Sequence, residues 1–281
     1  MNTSNSENYT LSIPDKKINT LYVKLLEIFL KKKKNFVLDT LNDLIYVFGS
    51  AVYFQKKCEI TFEKMKKGLE KHIKDKVIKE VLAKNPKSSY MSFPSGETTN
   101  FNFVYDFDVY VFSLKRCFDF LAKLPTSHFI GKKINMVEVR RLDISDFLKT
   151  IEGSSTKYNS LSKNIRSSMP MLVLKFERLS SYIKNLEDLR DKLIHNIPYK
   201  QIYFRASVDI KDKDKWEILR WEFLPKSHFN QTHNLLDLFK NHVLTASKDD
   251  VEPIVYNDLH NLRLFVIEVL TLILEFNTKN K

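Results

Sequence analysis

Apolar residues recur along this chain at steps of three and four over most of its length, the period of helices with one face turned inward. Asp15 caps a first helix that carries Ile18, Leu21, Tyr22, Leu25, Leu26 and Phe29 on one side, and the run Lys31 to Lys34 ends it. A second helix starts near Phe36 and passes through Leu41, Leu44, Ile45 and Phe48, with Gly49 as a kink or break. Residues 56–84 form a third, lysine-rich helical stretch in which Glu63, Glu70, Asp75 and Glu80 alternate with the lysines, which reads as a solvated face with partial pairing or, alternatively, as an electrostatic track for nucleic acid. Residues 85–100 (Asn-Pro, Pro-Ser-Gly, Thr-Thr-Asn) read as a loop and as the boundary between an N-terminal helical region, 1–84, and a main domain, 101–281. The next helix runs from Val104 to Leu124, and Pro125 closes it.

Residues 127–143 carry neither period clearly, a short helix spans Ile144 to Ile151, and Gly153 to Ser168 reads as a flexible loop. Ser167 or Ser168 caps the following helix, with Pro170 in its first turn and Pro198 at its end. Its stripe is Leu172, Phe176, Leu179, Ile183, Leu186, Leu193 and Ile197. The period then becomes two. Ile202, Phe204, Ala206, Val208 and Ile210 alternate with polar residues, residues 211–214 turn, and a second strand returns through Glu217, Leu219, Trp221 and Phe223, or the opposite face. This predicts a β-hairpin at about 202–223 inserted into a helical protein. Leu235 to Val243 reads as a short helix. The last element, Val251 to Phe276, is apolar nearly all round, which suits a core helix or part of a homodimer interface.

A chain of 281 residues with 43% hydrophobic content buries a core and is not disordered. Five glycines and eight prolines favour long helices over a sandwich or a Gly-rich nucleotide fold. The formal charge of +12 favours a polyanionic partner such as RNA. Cys58 and Cys117 lack metal spacing and read as buried free thiols, which points to a reducing, cytoplasmic setting. Met1 to Tyr9 lacks the apolar core of a signal peptide, and Leu262 to Phe276, interrupted by Glu268 and Glu275, is too short and charged for a membrane span. No convincing metal cluster occurs. His228 and His233 sit in a polar loop and read as surface residues.

Arg190 falls on the apolar stripe between Leu186 and Leu193. A guanidinium there is costly unless an anion meets it or its head reaches water. His195 follows five positions later, about 140° round an ideal helix, so the two groups converge only at the helix end or across a twofold axis between two chains. The bland reading has Arg190 reaching for water and His195 satisfying the last carbonyls of the helix. The functional reading is a site for a phosphate in motion.

The segment Arg190-Asp191-Lys192-Leu193-Ile194-His195 resembles the R-x(4–6)-H motif of the HEPN superfamily, with Asp191 as the polar residue that follows the arginine. Leu114 to Ala122 looks like part of the first helix of such a domain. Asn-Ile-Pro-Tyr (Asn196 to Tyr199) follows the motif, and the likeness spans roughly residues 101–276. The resemblance implies an all-α, HEPN-like up-and-down bundle with an inserted hairpin and an N-terminal helical extension. It implies a homodimer in which two Arg-His pairs share one cleft, and a metal-independent, cofactor-free endoribonuclease. In that scheme Arg190 and His195 are catalytic, and Asp191 and Asn196 orient them. Lys192, Tyr199 and Lys200 contact RNA. A toxin or antiviral effector, held in check by an antitoxin or inhibitor protein, is the implied biological role. The alternative is a non-catalytic HEPN-like module that binds nucleotide, RNA or protein.

Overall fold

A computed structural model describes residues 15–72, 74, 89–94, 101–129, 136–154, 159–195, 202–212, 215–225 and 254–279. Helices dominate: α1 (Lys16–Lys31), α2 (Asn35–His72), α3 (Phe101–Ser127), α4 (Met136–Arg141), α5 (Ile144–Ile151), α6 (Asn159–Ser168), α7 (Pro170–His195) and α8 (Leu259–Lys279). A three-stranded antiparallel sheet joins them, in the order β1 (Ser89–Pro94), β2 (Ile202–Asp212), β3 (Lys215–Pro225). The chain divides into two compact units. One is Met1–Ser50, Arg116–Arg178 and Leu264–Lys281, and the other is Ala51–Lys115 and Leu179–Arg263.

In the first unit, Asp15 caps α1 as its sequence position predicts, accepting from the amides of Lys17 and Ile18 at 2.8 and 2.9 Å. The helix ends on a Schellman turn: Lys34 N–H donates to Phe29 O and Lys33 N–H to Leu30 O. This places Lys33 at φ 52°, a left-handed conformation that costs a side-chain-bearing residue about 1–2 kcal/mol. The same turn follows α5, with Gly153 at φ 77° in the matching position. Asp119 on α3 accepts from the Ile144 amide at 3.0 Å and so ties the start of α5 to α3. The core centres on Phe176, whose ring lies 4.8 Å from Phe147 and 4.9 Å from Phe265. His128 packs edge-on against Phe29 and Phe276. Lys34 Nζ lies 3.3 Å from His128 Nδ1, and an ammonium can only donate, so Nδ1 accepts and the ring is neutral. Burial, then Lys34 and Lys32, push its pKa down to about 3.

In the second unit, Phe62, Phe103 and Phe107 stack in series, with Cys58 and Tyr110 also buried. Gln55 Nε2 donates to the carbonyl of Val255 at 3.0 Å, which holds a π-helical turn (Ile254–Asp258) that opens directly into α8. The register of β2 and β3 shifts at Ser207/Val208 and at Ile210/Asp212. Such irregularities sharpen strand twist locally.

Several sequence expectations are corrected. Gly49 does not break the second helix, and α2 continues through it to His72. A glycine there costs about 1 kcal/mol against alanine, and burial of Phe48 and Ala51 on either side outweighs it. Residues 85–100 are not loop throughout, because Ser89–Pro94 pairs with Arg205 to Ile210. That strand is short and its signal sits among turn residues. Pro125 lies inside α3, which runs on to Ser127. The stretch read as a loop to Ser168 contains α6, whose apolar positions are few, with Leu161 and Ile165 buried among polar neighbours. The final helix keeps the burial on several sides that its composition predicts, with Phe265, Val266, Ile267, Val269, Leu270 and Ile273 enclosed, while Leu264 stays 48% exposed. Leu235 to Val243 lies outside the described residues.

Two substitutions test this packing by urea unfolding. Phe176→Ala is expected to cost about 3–5 kcal/mol. Gly49→Ala meets nothing within 4 Å of the added Cβ and is expected to stabilise by about 0.5–1 kcal/mol.

Candidate active site

α7 positions the motif. Its buried line passes through Leu172, Val173 and Phe176 in the first unit and Ile183, Leu186 and Leu189 in the second. Steps of three drift backwards by about 60° each on an α-helix. By the last turns the line therefore reaches Leu189, about 100° from Arg190, while Ile183 and Leu186 stay within about 40° of it.

The consequence is a half-buried cation. The Arg190 side chain is 29% exposed, and Nη1 donates to Asp191 Oδ1 at 2.8 Å. Its guanidinium carbon lies 5.8 Å from the Phe112 ring centre, and its Nε is buried with no hydrogen-bond partner among the described residues. The Asp191 side chain is 57% exposed, so the pair itself adds little stability. The unanswered Nε–H carries a desolvation cost of about 1–3 kcal/mol. An anion approaching the fork would meet charge that is already oriented.

His195 is the last residue of α7, five positions beyond Arg190, and Lys192 lies between them on the same helix. Asn196, Tyr199 and Lys200 lie outside the described residues, as do His228 and His233. Of the predicted set, the structure joins Arg190 to Asp191; His195 and Lys192 are fixed by their place on the helix.

Other polar groups of the second unit carry no sequence signature. Lys115 on α3 lies 3.9 Å from Glu187, one turn before Arg190, and both side chains are mostly buried. Glu187 otherwise reads as an ordinary solvent-facing helix residue. Asp258, the last residue of the π-helical turn, is buried against Tyr182 of α7. Burial pushes its carboxyl up to about 7, and the neighbouring Tyr182 hydroxyl only partly offsets this. Tyr182 is itself pushed well above the ordinary tyrosine value by burial, by Asp258 and by Tyr110. A carboxyl that changes charge near neutrality is a group with chemical capacity, and π-helical turns often accompany function. A spacing search finds none of this, because Tyr110, Tyr182 and Asp258 come from three distant segments.

In the first unit, a cavity of about 490 Å³ opens between the start of α7 and the end of α8, lined by Ser168, Met171, Leu272, Phe276 and Lys279 among others. It contains none of the predicted site residues. Among the described residues, no group of three or more His, Cys, Asp or Glu side chains gathers as a metal site. No helix among them is long and apolar enough to cross a membrane.

The Asp258 carboxyl has a measurable signature. Its folded pKa lies above its unfolded one, so its contribution to stability is complete below about pH 4 and is lost as pH rises through about 7. Asp258→Asn removes the titration. Relative to the wild type, the variant is expected to gain about 2–3 kcal/mol between pH 5 and pH 8 in chemical denaturation. An unchanged difference at the two pH values would show that Asp258 does not titrate in that window.

The chain matches no protein-family model, no curated protein and no solved structure.

Proposed function

We propose that this protein is a metal-independent endoribonuclease of HEPN type, acting as a homodimer in which Arg190 and His195 of two chains share one cleft. The observation that carries the reading is Arg190 itself. It is a half-buried guanidinium with an unanswered Nε–H, five residues before a histidine that ends the same helix. Holding such a group at the edge of an apolar line is costly, and a passing phosphate offsets that cost. The formal charge of +12 supports a polyanionic substrate.

The chemistry needs few parts. The ribose 2′-hydroxyl is already held beside the scissile phosphate. His195 takes its proton as the 2′-oxygen bonds to phosphorus. Arg190 donates to the phosphoryl oxygens as negative charge builds on them. The bond from phosphorus to the 5′-oxygen breaks, and that oxygen leaves with a proton returned by an imidazolium. The products are a 2′,3′-cyclic phosphate and a 5′-hydroxyl end. Asp191 orients the guanidinium, and Asn196 steadies the imidazole. Lys192, Tyr199 and Lys200 hold the flanking strand. No step calls for a metal. A toxin or antiviral effector, restrained by an inhibitor protein, fits an activity of this kind in the cytoplasm.

A second reading draws on the Arg190–Asp191 pair. A guanidinium engaged by a carboxylate at 2.8 Å can bind RNA, a nucleotide or an acidic protein without turnover. That is the non-catalytic HEPN-like module.

Incubation of purified protein with mixed RNA in EDTA separates the two. The wild type is expected to cleave and to leave cyclic phosphate ends. His195→Ala is expected to lose about 10²–10⁴ in rate and Arg190→Ala about 10²–10³, both with unchanged circular dichroism. Salt-sensitive binding without cleavage would favour the module. Equal nicking by all three proteins would mean contamination and would remove the enzyme reading.

A further inference from the structure

α2 contributes residues 51–72 to the second unit, and its charges there are sorted by side. Ala51, Cys58 and Phe62 face the core. At about 100° per residue, Tyr53, Lys57, Ile60, Lys64, Lys67 and Lys71 all fall within about 60° of the Lys64 direction, opposite that core. Each of them is exposed, with Tyr53 at 57% and Ile60 at 49%. The three acids of the segment, Glu59, Glu63 and Glu70, lie about 100° or more away from that direction. Glu63 holds Lys66 at 3.8 Å, so that pairing is spent off the strip. An ordinary solvated helix face interleaves its signs. Here one face is basic and aromatic, and the acids are kept off it.

We propose that this face of α2, from Tyr53 to Lys71, is a docking track for single-stranded RNA. Lys57 to Lys71 spans about 21 Å of helix, room for several nucleotides. Lys64, Lys67 and Lys71 supply the charge that phosphates need. Lys57 lies 3.7 Å from Asp106 and 4.9 Å from the Tyr53 ring centre, so it fixes the tyrosine more than it adds charge. Tyr53, braced in that way and edge-on to Phe54 at 5.1 Å, offers a steady surface for a base. Duplex RNA buries its bases and cannot use such a surface. The choice of RNA among polyanions rests on the ribonuclease reading; the sorting of charge does not.

Binding to the intact protein is measured by fluorescence anisotropy with a labelled 2′-O-methyl oligouridine of about 20 nucleotides, which lacks the nucleophile and resists cleavage. Combined Lys64→Glu, Lys67→Glu and Lys71→Glu is expected to weaken binding at least tenfold and to reduce the salt slope by about 2. Combined Lys24→Glu, Lys149→Glu and Lys163→Glu makes the same change of net charge at exposed positions elsewhere, and is expected to change binding less than threefold. Tyr53→Ala is expected to weaken single-strand binding about tenfold. Equal losses in the two charge variants, equal affinity for a duplex of the same length, or binding to anionic phospholipid vesicles with none to RNA would each overturn the track. Cleavage by each protein is assayed separately on unmodified RNA. A protein that binds along α2 but does not cleave leaves the track standing and removes only the nuclease.

Discussion

A charged fork held half in and half out of an apolar layer is the constraint on which the functional reading turns. Arg190 sits there because the buried line of α7 drifts to Leu189 and leaves the next position on its flank. Phe112 shields one side of the group, and Asp191 takes one of its donors. A guanidinium keeps its charge at any pH a protein survives. The Asp191 carboxylate answers one nitrogen, and the buried Nε is left without a hydrogen-bond partner among the described residues. The helix that carries it is set by neighbours on α3, including the enclosed Lys115–Glu187 pair.

Two buried groups, His128 and Asp258, take a different course and are pushed toward their neutral forms. His128 sits among rings and beside lysines and stays neutral. Asp258 sits beside the Tyr182 hydroxyl, and burial pushes its carboxyl up to about 7. Each is fixed by partners far away in sequence. Gln55 donates to the carbonyl of Val255, three residues before Asp258 in the π-helical turn. These groups make local conformation depend on tertiary packing rather than on propensity.

That dependence marks where the sequence could be read and where it could not. The cap at Asp15, Pro170 in the first turn of α7 and the alternation through β2 and β3 are local signals, and each has its counterpart in the structure; the serine cap expected before α7 has none, because Ser167 and Ser168 end α6. Helix where periodicity was plain is likewise found, in α1, α3, α5 and α8. The failures share one cause. Gly49, Pro125 and the polar run before Ser168 are local breaking signals, and long-range burial overrides them. β1 is a strand because β2 lies beside it, which no local pattern announces. Arg190 and His195 stand out by their spacing as candidates. The burial of Leu189 beside Arg190 follows from the accumulated drift of the whole helix. Tyr182 and Asp258 needed the fold itself.

The two thiols carry a practical consequence. Cys58 and Cys117 are fully enclosed, and burial raises both well above the usual thiol range. Only the thiolate attacks disulfides, maleimides or peroxide. In its folded state the native protein therefore behaves toward such reagents as though it had no cysteine. One cysteine engineered onto an outer helix position would react alone, so a dye or spin label could be attached without first removing the natural pair.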